Sequence, residues 1–459
     1  MLSKEIIQEI LTKALSTGGD FAEVFVEDTV RNSLNMINGK MENAVSGRDF
    51  GVGIRIFQGF RSVYAYTSDP SRLALLETAE KAAYALKNAN KTDPLDLVEG
   101  ISRNIHPILQ VPSGISNLKK VGIMKKAHGA AKAYSPEIVQ VTVGYGDLDQ
   151  RVQIANSEGL FTEDRRVRTR LFIQSVASDG NENQTGFEGP GAMKGFELFE
   201  EIDPEYFGRE ASRTAVTMLH APLCPAGKMT VAIDNGFGGV IFHEACGHAL
   251  EASSVAKGNS VFAGKLGQQI ASEKVTAVDD GTIPNAWGSI NIDDEGIPAR
   301  KKILIEKGIL KGYMIDRLNG RRMGMEPTGS GRRQSYKYAL TSRMTNTYIA
   351  AGEDEDEAII ASINHGLYAK KMGGGSVNPV TGEFNFAVAE GYLVKNGKID
   401  HPVRGATLIG KGSEILMNID MVGKNLKLGQ GMCGAASGSI PTNVGQPMIR
   451  VSEITVGGR

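Results

Sequence analysis

Apolar residues near the start of the chain recur at the spacing of one helical face, with charged residues between them. The apolar positions are Ile6, Ile7, Ile10, Leu11 and Leu15. This period predicts an amphipathic helix, because a signal peptide needs an uninterrupted apolar segment and none is present here. No later stretch approaches the roughly 18 consecutive apolar residues of a membrane span, so no membrane-spanning helix is expected.

Alternating and β-branched residues, separated by glycine-containing turns, predict strands between residues 20 and 68. A helix is expected to follow, with Asp69 as its N-cap and Pro70 in its first turn. The polar, proline-containing segment 88–113 is predicted to be a linker or a surface crossing.

A second set of helix and strand patterns occupies the middle of the chain. It predicts a helix from about 116 to 134, a hairpin within 137–159, a long strand at 166–180 and a helix from about 203 to 219.

At 459 residues the chain is too long for one hydrophobic core, and two or three domains are expected. We predict an N-terminal α+β domain at 1–100, a central α+β domain at 110–222 and a strand-rich C-terminal domain at 226–459. The proline-containing segment 221–228 marks the second boundary. The predicted fold class is therefore α+β: a mixed α/β N-terminal region, then a strand-rich region that carries an unusual helix near 237–253.

Charge and cysteine content narrow the class of protein. The chain has 51 Lys and Arg against 52 Asp and Glu, which gives no reason to expect nucleic acid or an anionic membrane as a partner. The three cysteines are Cys224, Cys246 and Cys433. An odd and sparse count argues against a disulfide framework and predicts a reducing, cytoplasmic location.

One short segment carries side chains that suit metal chemistry. His243, Glu244 and His248 occur in the run HEACGH; two imidazoles are good zinc ligands, and the carboxylate can deprotonate a metal-bound water. The histidines are five residues apart, which places them about 140° apart around a regular helix, too far to share one ion. The metal interpretation therefore predicts a local break or π-bulge, with Gly247 as the residue that deforms most easily. The alternative is two unrelated histidines near a buried helix, since short motifs recur by chance.

A zinc site of this kind needs a third protein ligand, and three residues are candidates. Glu251 follows His248 by three residues and can reach back along the helix. Cys433 lies in a glycine-rich loop that gives little reason to bury a thiol for packing. Cys246 lies between the two histidines, competes with both in geometry, and is better interpreted as a structural thiol. Spacing alone does not choose between Glu251 and Cys433.

Five segments together resemble the TldD/PmbA family, in the family's order and over essentially the whole chain. They are HEACGH at 243–248, RMTNTY at 343–348, GGGSVNPVTGEF at 373–384, PVRGATLIG at 402–410 and MCGAASGSIPTNVGQPMIRVSEITVGG at 432–458. The resemblance implies an α+β zinc peptidase of the TldD type, which retains the HExxxH motif that PmbA-type subunits lack. Some members carry the older label of modulator of DNA gyrase, which the balanced charge does not support.

Residue by residue, the resemblance makes His243 and His248 metal ligands, Glu244 the catalytic glutamate and Cys433 the third ligand. It leaves Glu251 as a residue that supports the site or packs beside it. It also implies a dimer, formed with a PmbA-type partner or with a second copy of the chain.

Two functions from different classes follow. The first is a zinc metallopeptidase that hydrolyses unfolded polypeptides or small peptides, for degradation or maturation, with a zinc-bound water activated by Glu244. The second is a non-catalytic regulatory or binding subunit of a TldD/PmbA-type complex, against which the intact motif argues. A zinc hydrolase acting on a non-peptide amide is a third. Arg343 and Asn346 are predicted to orient a bound peptide, with a polar-faced strand as the alternative.

Overall fold

A computed structural model of the chain describes residues 1–86, 93–100, 102–378 and 381–458. Helix makes up 22% of the structure and strand 44%, which confirms the predicted α+β class with a strand-rich C-terminal part. The predicted linker at 88–113 lies partly outside the described residues. Within them, no helix is long and apolar enough to cross a bilayer.

The first half of the chain builds one large, mostly antiparallel sheet. Its strands are β1 (Phe21–Ile37), β2 (Lys40–Gln58), β3 (Arg61–Thr67), β4 (Val98–Glu99), β5 (Ile138–Asn156), β6 (Leu160–Ser178), β7 (Asn183–Glu188) and β8 (Gly191–Ala192). The order is β3-β2-β1-β5-β6-β4, and β7 and β8 also pair with β6. The long pairing of β1 with β5 joins the predicted N-terminal domain (1–100) and the predicted central domain (110–222) in a single sheet.

Helices cover one face of this sheet. They are α1 (Lys4–Ala14), α2 (Arg72–Tyr84), α3 (Asn117–Lys132), α4 (Leu198–Glu201) and α5 (Pro204–Leu219). Helices α1 and α2 share a core with Val24 and Ile54, and α3 and α5 share one with Val143 and Leu171. Successive residues of a strand point to opposite faces of the sheet. The residues that alternate with these four along their strands therefore point toward the C-terminal region.

The first turn of α2 differs from the prediction. The hydroxyl of Ser71 accepts from the N–H of Ala74 and caps the helix, which therefore begins at Arg72. Asp69, the predicted cap, instead accepts from the N–H of Ser71. The capping chemistry is as expected, but it is supplied two residues later in the chain.

The predicted hairpin within 137–159 is wrong, because β5 is a single strand. Gly144 provides space and not a turn: a Cβ at this position would lie 1.7 Å from the ring of Phe172 on β6. The chain reverses between β5 and β6, where Gly159 adopts φ +93°. A glycine within a strand pattern is therefore ambiguous until its neighbour across the sheet is known.

The C-terminal region forms three further sheets in the part of the chain that the structure describes. Its strands are β9 (Gly227–Ile233), β10 (Ala277–Asp280), β11 (Lys301–Glu306), β12 (Ile309–Leu310), β13 (Gly331–Arg332), β14 (Thr341–Ser342), β15 (Asn346–Ile349), β16 (His365–Val377), β17 (Glu383–Lys395), β18 (Lys398–Val403), β19 (Thr407–Lys411), β20 (Ile419–Val422), β21 (Lys427–Ala435), β22 (Gly438–Gln446) and β23 (Ile449–Gly457). Its helices are α6 (Val240–Phe242), α7 (Ala252–Val255), α8 (Arg317–Met323), α9 (Asp356–Ala361) and α10 (Gly412–Asn418).

A seven-stranded sheet has the order β16-β9-β23-β19-β17-β18, with β20 beside β23. A six-stranded sheet has the order β12-β11-β10-β15-β22-β21, and β13 pairs with β14. The largest apolar core draws Val231 from the first of these sheets and Val444 from the second, and it also contains Phe242 and Cys246 of the HEACGH region. The motif is therefore anchored in the main core of this region.

Candidate metal centre

The chain around the motif forms a series of short helical turns where one helix near 237–253 was expected. A 3-10 turn at Phe237–Gly239 leads into α6, and a π-helical turn then spans His243–Gly247. A second 3-10 turn at His248–Leu250 precedes α7. The backbone N–H of His248 donates to the carbonyl of His243, five residues earlier. The predicted departure from regular helical bonding is confirmed, and it turns the second histidine back toward the first.

Gly247 is required for space and not for an unusual backbone conformation. Its φ of −56° and ψ of −50° are ordinary helical values. A Cβ at this position would lie 2.4 Å from the Sδ atom of Met344, which is fully buried beside the π-helical turn. The interpretation of Gly247 as the easiest residue to deform is therefore wrong in its reason, although the deformation itself is present.

Three side chains from two distant parts of the sequence converge at this turn. The Sγ atom of Cys433, on β21, lies 3.2 Å from Nε2 of His243 and 3.3 Å from Nε2 of His248. The possible ligand atoms of the three residues all lie within 4.8 Å of one another. The two imidazole rings are nearly perpendicular, at 83°, and both present Nε2 to the sulfur.

The electrostatics of the cluster favour an ionised sulfur. Burial alone would raise the pKa of the Cys433 thiol, but the attraction of His243 and the contacts with both histidines lower it to about 4. Burial opposes a charge on His248, yet the attraction of Glu251 and the contact with Cys433 raise its pKa well above the usual value. The thiolate is the form of cysteine that binds metals, so the site prepares its sulfur for that role.

Two glutamates approach His248 from different sides. Oε2 of Glu251 lies 3.1 Å from Nδ1 of His248, and the Glu251 side chain is almost fully buried. A carboxylate that accepts a hydrogen bond from Nδ1–H leaves Nε2 unprotonated and able to bind a metal, on the side of the ring that faces Cys433. Oε2 of Glu244 lies 3.7 Å from Nε2 of His248, and the Glu244 side chain is 30% exposed to solvent. Glu251 therefore supports a ligand, while Glu244 faces the accessible side of the cluster.

Arg343 lies inside the protein, where no peptide can reach it. Its side chain is fully buried, and it donates from Nη1 to Ser437 Oγ at 2.8 Å and to the carbonyl of Gly438 at 2.9 Å. Nη2 donates to the carbonyl of Cys433, and Nε lies 3.8 Å from Oε1 of Glu251. Arg343 thus joins the segment that carries Cys433 to the glutamate that holds His248.

Asn346 is also fully buried, in a network of its own. Its amide nitrogen donates to the carbonyl of Asp280 at 2.6 Å and to the hydroxyl of Ser289 at 2.8 Å. The structure therefore gives neither Arg343 nor Asn346 a surface for a peptide, and the alternative of a polar strand with internal partners describes both. No sign of this burial is visible in the sequence, because an arginine is almost never fully buried unless it is paired, and the partners of Arg343 lie 90 and 94 residues further along the chain.

Cys246, one candidate for the third ligand, faces away from the histidines. Its Sγ lies 3.6 Å from the carbonyl of Gly412, and burial raises the pKa of its thiol. Of the three candidates, it is Cys433 that lies against the Nε2 atoms, with Glu251 on the far side of His248.

The donor set fits a zinc ion. Imidazole nitrogen and thiolate are both ligands that zinc binds, and three protein ligands leave a fourth position open. Nδ1 of His243 is buried and has no hydrogen-bond partner among the described residues, so its ring is fixed by packing and by the contact of Nε2 with sulfur.

Family models match the chain in three consecutive parts. The "PmbA/TldA metallopeptidase domain 1" matches residues 22–86, the "central domain" matches 111–219 and the "C-terminal domain" matches 226–458. The matched segments leave short gaps near residue 100 and near residue 222.

Curated relatives match over nearly their full length. The chain is 37% identical over 452 residues to a "Metalloprotease TldD homolog" of Haemophilus influenzae, covering 96% of this chain and 93% of the relative. It is 34% identical over 466 residues to a protein of the same description from Buchnera aphidicola, covering 98% and 95%.

Solved structures share the fold. A putative modulator of DNA gyrase from Thermotoga maritima has a TM-score of 0.81 at 24% identity, with 99% of both chains covered. TldE from Thermococcus kodakarensis has a TM-score of 0.79 at 19% identity, covering 99% of this chain and all of that one. With the matches above, these findings place the sequence in one group: the chain belongs to the PmbA/TldD metallopeptidase family.

Proposed function

We propose that the chain is a zinc metallopeptidase in which His243, His248 and Cys433 hold the metal and Glu244 is the catalytic base. One observation carries the proposal: three potential ligand atoms lie within 4.8 Å of one another beside a glutamate that remains partly exposed. A merely structural cluster has no need of a carboxylate on its accessible side. The metalloprotease names of the curated relatives support a metal-dependent peptidase activity.

The mechanism divides between holding the site and moving a proton. His243, His248 and Cys433 would hold a zinc ion, which would supply a lowered pKa to a bound water and polarisation of a carbonyl oxygen. Glu244 accepts the proton of the attacking water and then delivers it to the leaving amine. Glu251 keeps His248 in the tautomer with Nε2 free, and Arg343 fixes the segment that carries Cys433.

We propose extended or unfolded polypeptides as substrates. His243 and Cys433 are buried, and only Glu244 and His248 keep part of their exposure, so the approach to the cluster is narrow. A folded domain cannot present a scissile bond at such depth, whereas an extended chain can. We expect a destabilised domain and a short peptide to be cut, and a stable folded domain to survive, in parallel digests followed by gel electrophoresis and mass spectrometry.

Glu244→Gln tests the assignment of the base. It removes the proton acceptor and leaves the three ligands, so we expect turnover of an unfolded polypeptide to fall by about 10²- to 10⁴-fold while zinc is retained. Product analysis by mass spectrometry and zinc analysis of the same sample measure both. Glu273→Gln, at an exposed position, is the control. Full activity of Glu244→Gln would show that another group is the base, and a purified wild type without zinc would favour a non-catalytic subunit.

We propose that the chain works as a dimer, with a PmbA-type chain or with a second copy. One structural neighbour is named TldE, and a second kind of chain with the same fold supports the first of these partners. Light scattering of the purified chain, alone and mixed with a PmbA-type chain, distinguishes the two partners. A monomer with full peptidase activity in both samples would contradict the dimer.

We further propose a reducing compartment, the cytoplasm, as the site of action. The three cysteines are free and buried, and Cys433 would be lost as a ligand on oxidation. Zinc content measured with and without a mild oxidant tests this dependence, and we expect oxidation to release the metal.

A further inference from the structure

A small cavity lined by arginines lies between the first sheet and the C-terminal region. Its volume is about 150 Å³. The charged residues of its lining are Arg31, Arg166, Arg168, Arg332, Arg333 and Asp294. Five cations and one anion around so small a space repel one another on balance, unless the positive charges are compensated by groups outside the cavity.

Arg31 is exposed to solvent, and two of the four buried arginines have carboxylate partners. Arg166 contacts Asp164 at 3.0 Å and Asp294 at 2.6 Å. Arg333 contacts Glu23 at 2.6 Å. These pairs are buried and hydrogen-bonded, so their charges are largely balanced within the protein.

The other two buried arginines contact only backbone carbonyls. Arg168 donates from Nε to the carbonyl of Trp287 at 2.9 Å and from Nη2 to that of Ser289 at 2.8 Å. Arg332 donates from Nη2 to the carbonyl of Pro441 at 2.9 Å, and from Nη1 to a second carbonyl. Over the ranges that the structure describes, neither guanidinium forms an ion pair with a carboxylate.

Both guanidiniums are nearly inaccessible to solvent, at 3% exposure for Arg168 and 5% for Arg332. Burial, together with repulsion from Arg332 and Arg166, lowers the pKa of Arg168 to about 9. Burial also lowers the pKa of Arg332 to about 10, with repulsion from Arg166 and Arg343 and against the attraction of Asp294. Arg168 and Arg332 are thus two buried cations that repel each other and line one cavity. An anion bound there would be stabilised by both guanidiniums.

We propose that this cavity binds a small oxyanion, of phosphate or carboxylate type, through the guanidiniums of Arg168 and Arg332. The size of the cavity suits such a group and not a nucleotide or a peptide segment. Arg168 belongs to β6 of the first sheet, whereas Arg332 belongs to β13 and contacts β22. A bound anion therefore bridges the two halves of the molecule.

The same cavity touches the hairpin that carries Cys433. Met432 and Pro441 form part of its wall, and these two residues are paired with each other across β21 and β22. Met432 and Cys433 are neighbours on a strand and point to opposite sides, so the anion site lies behind the metal centre and not within it. Anion binding is thus expected to stabilise the hairpin of β21 and β22 from the face opposite to Cys433.

The test is a titration of the zinc-loaded protein with inorganic phosphate and, separately, with acetate. Ionic strength is held constant with sodium chloride, and the midpoint of thermal unfolding is measured. A specific site gives a saturable rise of about 2 °C or more, whereas a general salt effect does not saturate. Saturation with phosphate alone, with acetate alone or with both supports the site and identifies the class of ligand. Absence of saturation with either anion overturns the proposal.

Variants locate the effect. We expect Arg168→Gln and Arg332→Gln to abolish the saturable rise, and Arg332→Lys, which keeps the charge, to retain part of it. Arg170→Gln is the matched control, because Arg170 lies two residues further along β6, over the ring of Trp287, and should leave the rise unchanged. A saturable rise that survives in both glutamine variants would place the anion elsewhere and overturn the proposal. If those variants do not fold, calorimetric titration of the wild type and Arg332→Lys with phosphate and acetate decides, since equal affinity in the two proteins excludes Arg332 as a ligand.

Discussion

Arg343 spans the two ends of the turn between β21 and β22. It bonds to the carbonyls of Cys433 and Gly438, and its Nε faces Glu251, which in turn holds His248. The planar guanidinium makes these contacts in fixed directions, which an ammonium group on a flexible chain cannot reproduce. One buried side chain therefore positions two of the three proposed ligands.

We predict that Arg343→Lys weakens zinc binding by about 10- to 100-fold, the usual effect of losing a group that orients a metal ligand. Competition with a chromogenic chelator measures the dissociation constant. Arg450→Lys is the control, since Arg450 pairs with Asp420 on the surface, away from the cluster. Unchanged zinc affinity in Arg343→Lys would show that the hairpin holds Cys433 without it.

At this scale the sequence predicted His243, Glu244 and His248 as site residues because they lie within one short motif, and the structure brings their side chains together. It could not choose Cys433 by spacing, because 190 residues separate Cys433 from His243 and only the folded sheet brings them together. Family resemblance supplied what spacing could not. Arg343 was singled out for the wrong reason, since a sequence does not show whether a polar side chain points into a cleft or into the core.

The π-helical turn is the element on which the proposed metal centre depends. Two histidines five residues apart reach one sulfur only because the backbone inserts an extra residue between them. The close approach of Met344 to Gly247 packs this turn against the segment that carries Arg343. The geometry of the ligands therefore depends on a side-chain contact that lacks metal chemistry of its own.

Gly247→Ala should disturb this turn. A Cβ there would meet the sulfur of Met344 at 2.4 Å, so we expect a loss of about 1–3 kcal/mol in the free energy of unfolding, with reduced zinc content. Denaturant unfolding and zinc analysis provide the measurements. In a Met344→Ala background the same change should cost less, because the clash is removed.

Gly129→Ala provides the comparison. Gly129 lies in α3, and a Cβ there would meet nothing within 4 Å, so this change should stabilise the helix by up to about 1 kcal/mol. If Gly247→Ala behaves like Gly129→Ala, with zinc retained, then the packing account of the turn fails.

The predictability of individual elements follows from how local their causes are. Helix α1 could be predicted because the apolar residues of its buried face, including Ile7, Ile10 and Leu11, recur at helical spacing within the helix itself. The extent of β5 could not, because Gly144 is explained by Phe172 on another strand. The motif helix was predicted to be distorted, but its division into 3-10, α and π turns depends on packing against the core.

On the scale of the whole molecule, the first sheet meets the C-terminal region through a layer of buried charge. Arg55 contacts both Glu23 and Glu295, and Arg333 contacts Glu23 as well. Such networks stabilise little in comparison with apolar packing, but a wrong alignment leaves a charge buried without a partner. We infer that the layer fixes how the two halves are oriented, and the cavity with Arg168 lies within it.

A second contact between the halves gives a test at this scale. Glu390, on β17, is buried and accepts hydrogen bonds from Arg213 on α5, at 2.8 Å and 2.9 Å, and from Tyr392 and Lys370. Burial alone would raise the pKa of Glu390, but these partners lower it to about 2 from its ordinary value near 4.5. Because the folded-state pKa is the lower one, this carboxylate stabilises the fold above about pH 4.5, and its contribution is lost as the pH falls toward 2.

We therefore predict that Glu390→Gln lowers the free energy of unfolding at pH 7 by up to about 3 kcal/mol and flattens its decline between about pH 4.5 and 2. Urea unfolding across this range provides the measurement, on chelator-treated protein so that loss of metal at low pH does not contribute. Glu383→Gln is the matched control, because Glu383 lies on the same strand but is exposed, 3.6 Å from Lys411. We expect it to keep the wild-type slope. If Glu390→Gln and Glu383→Gln decline in parallel with the wild type, the contact between Arg213 and Glu390 does not stabilise the assembly of the two halves.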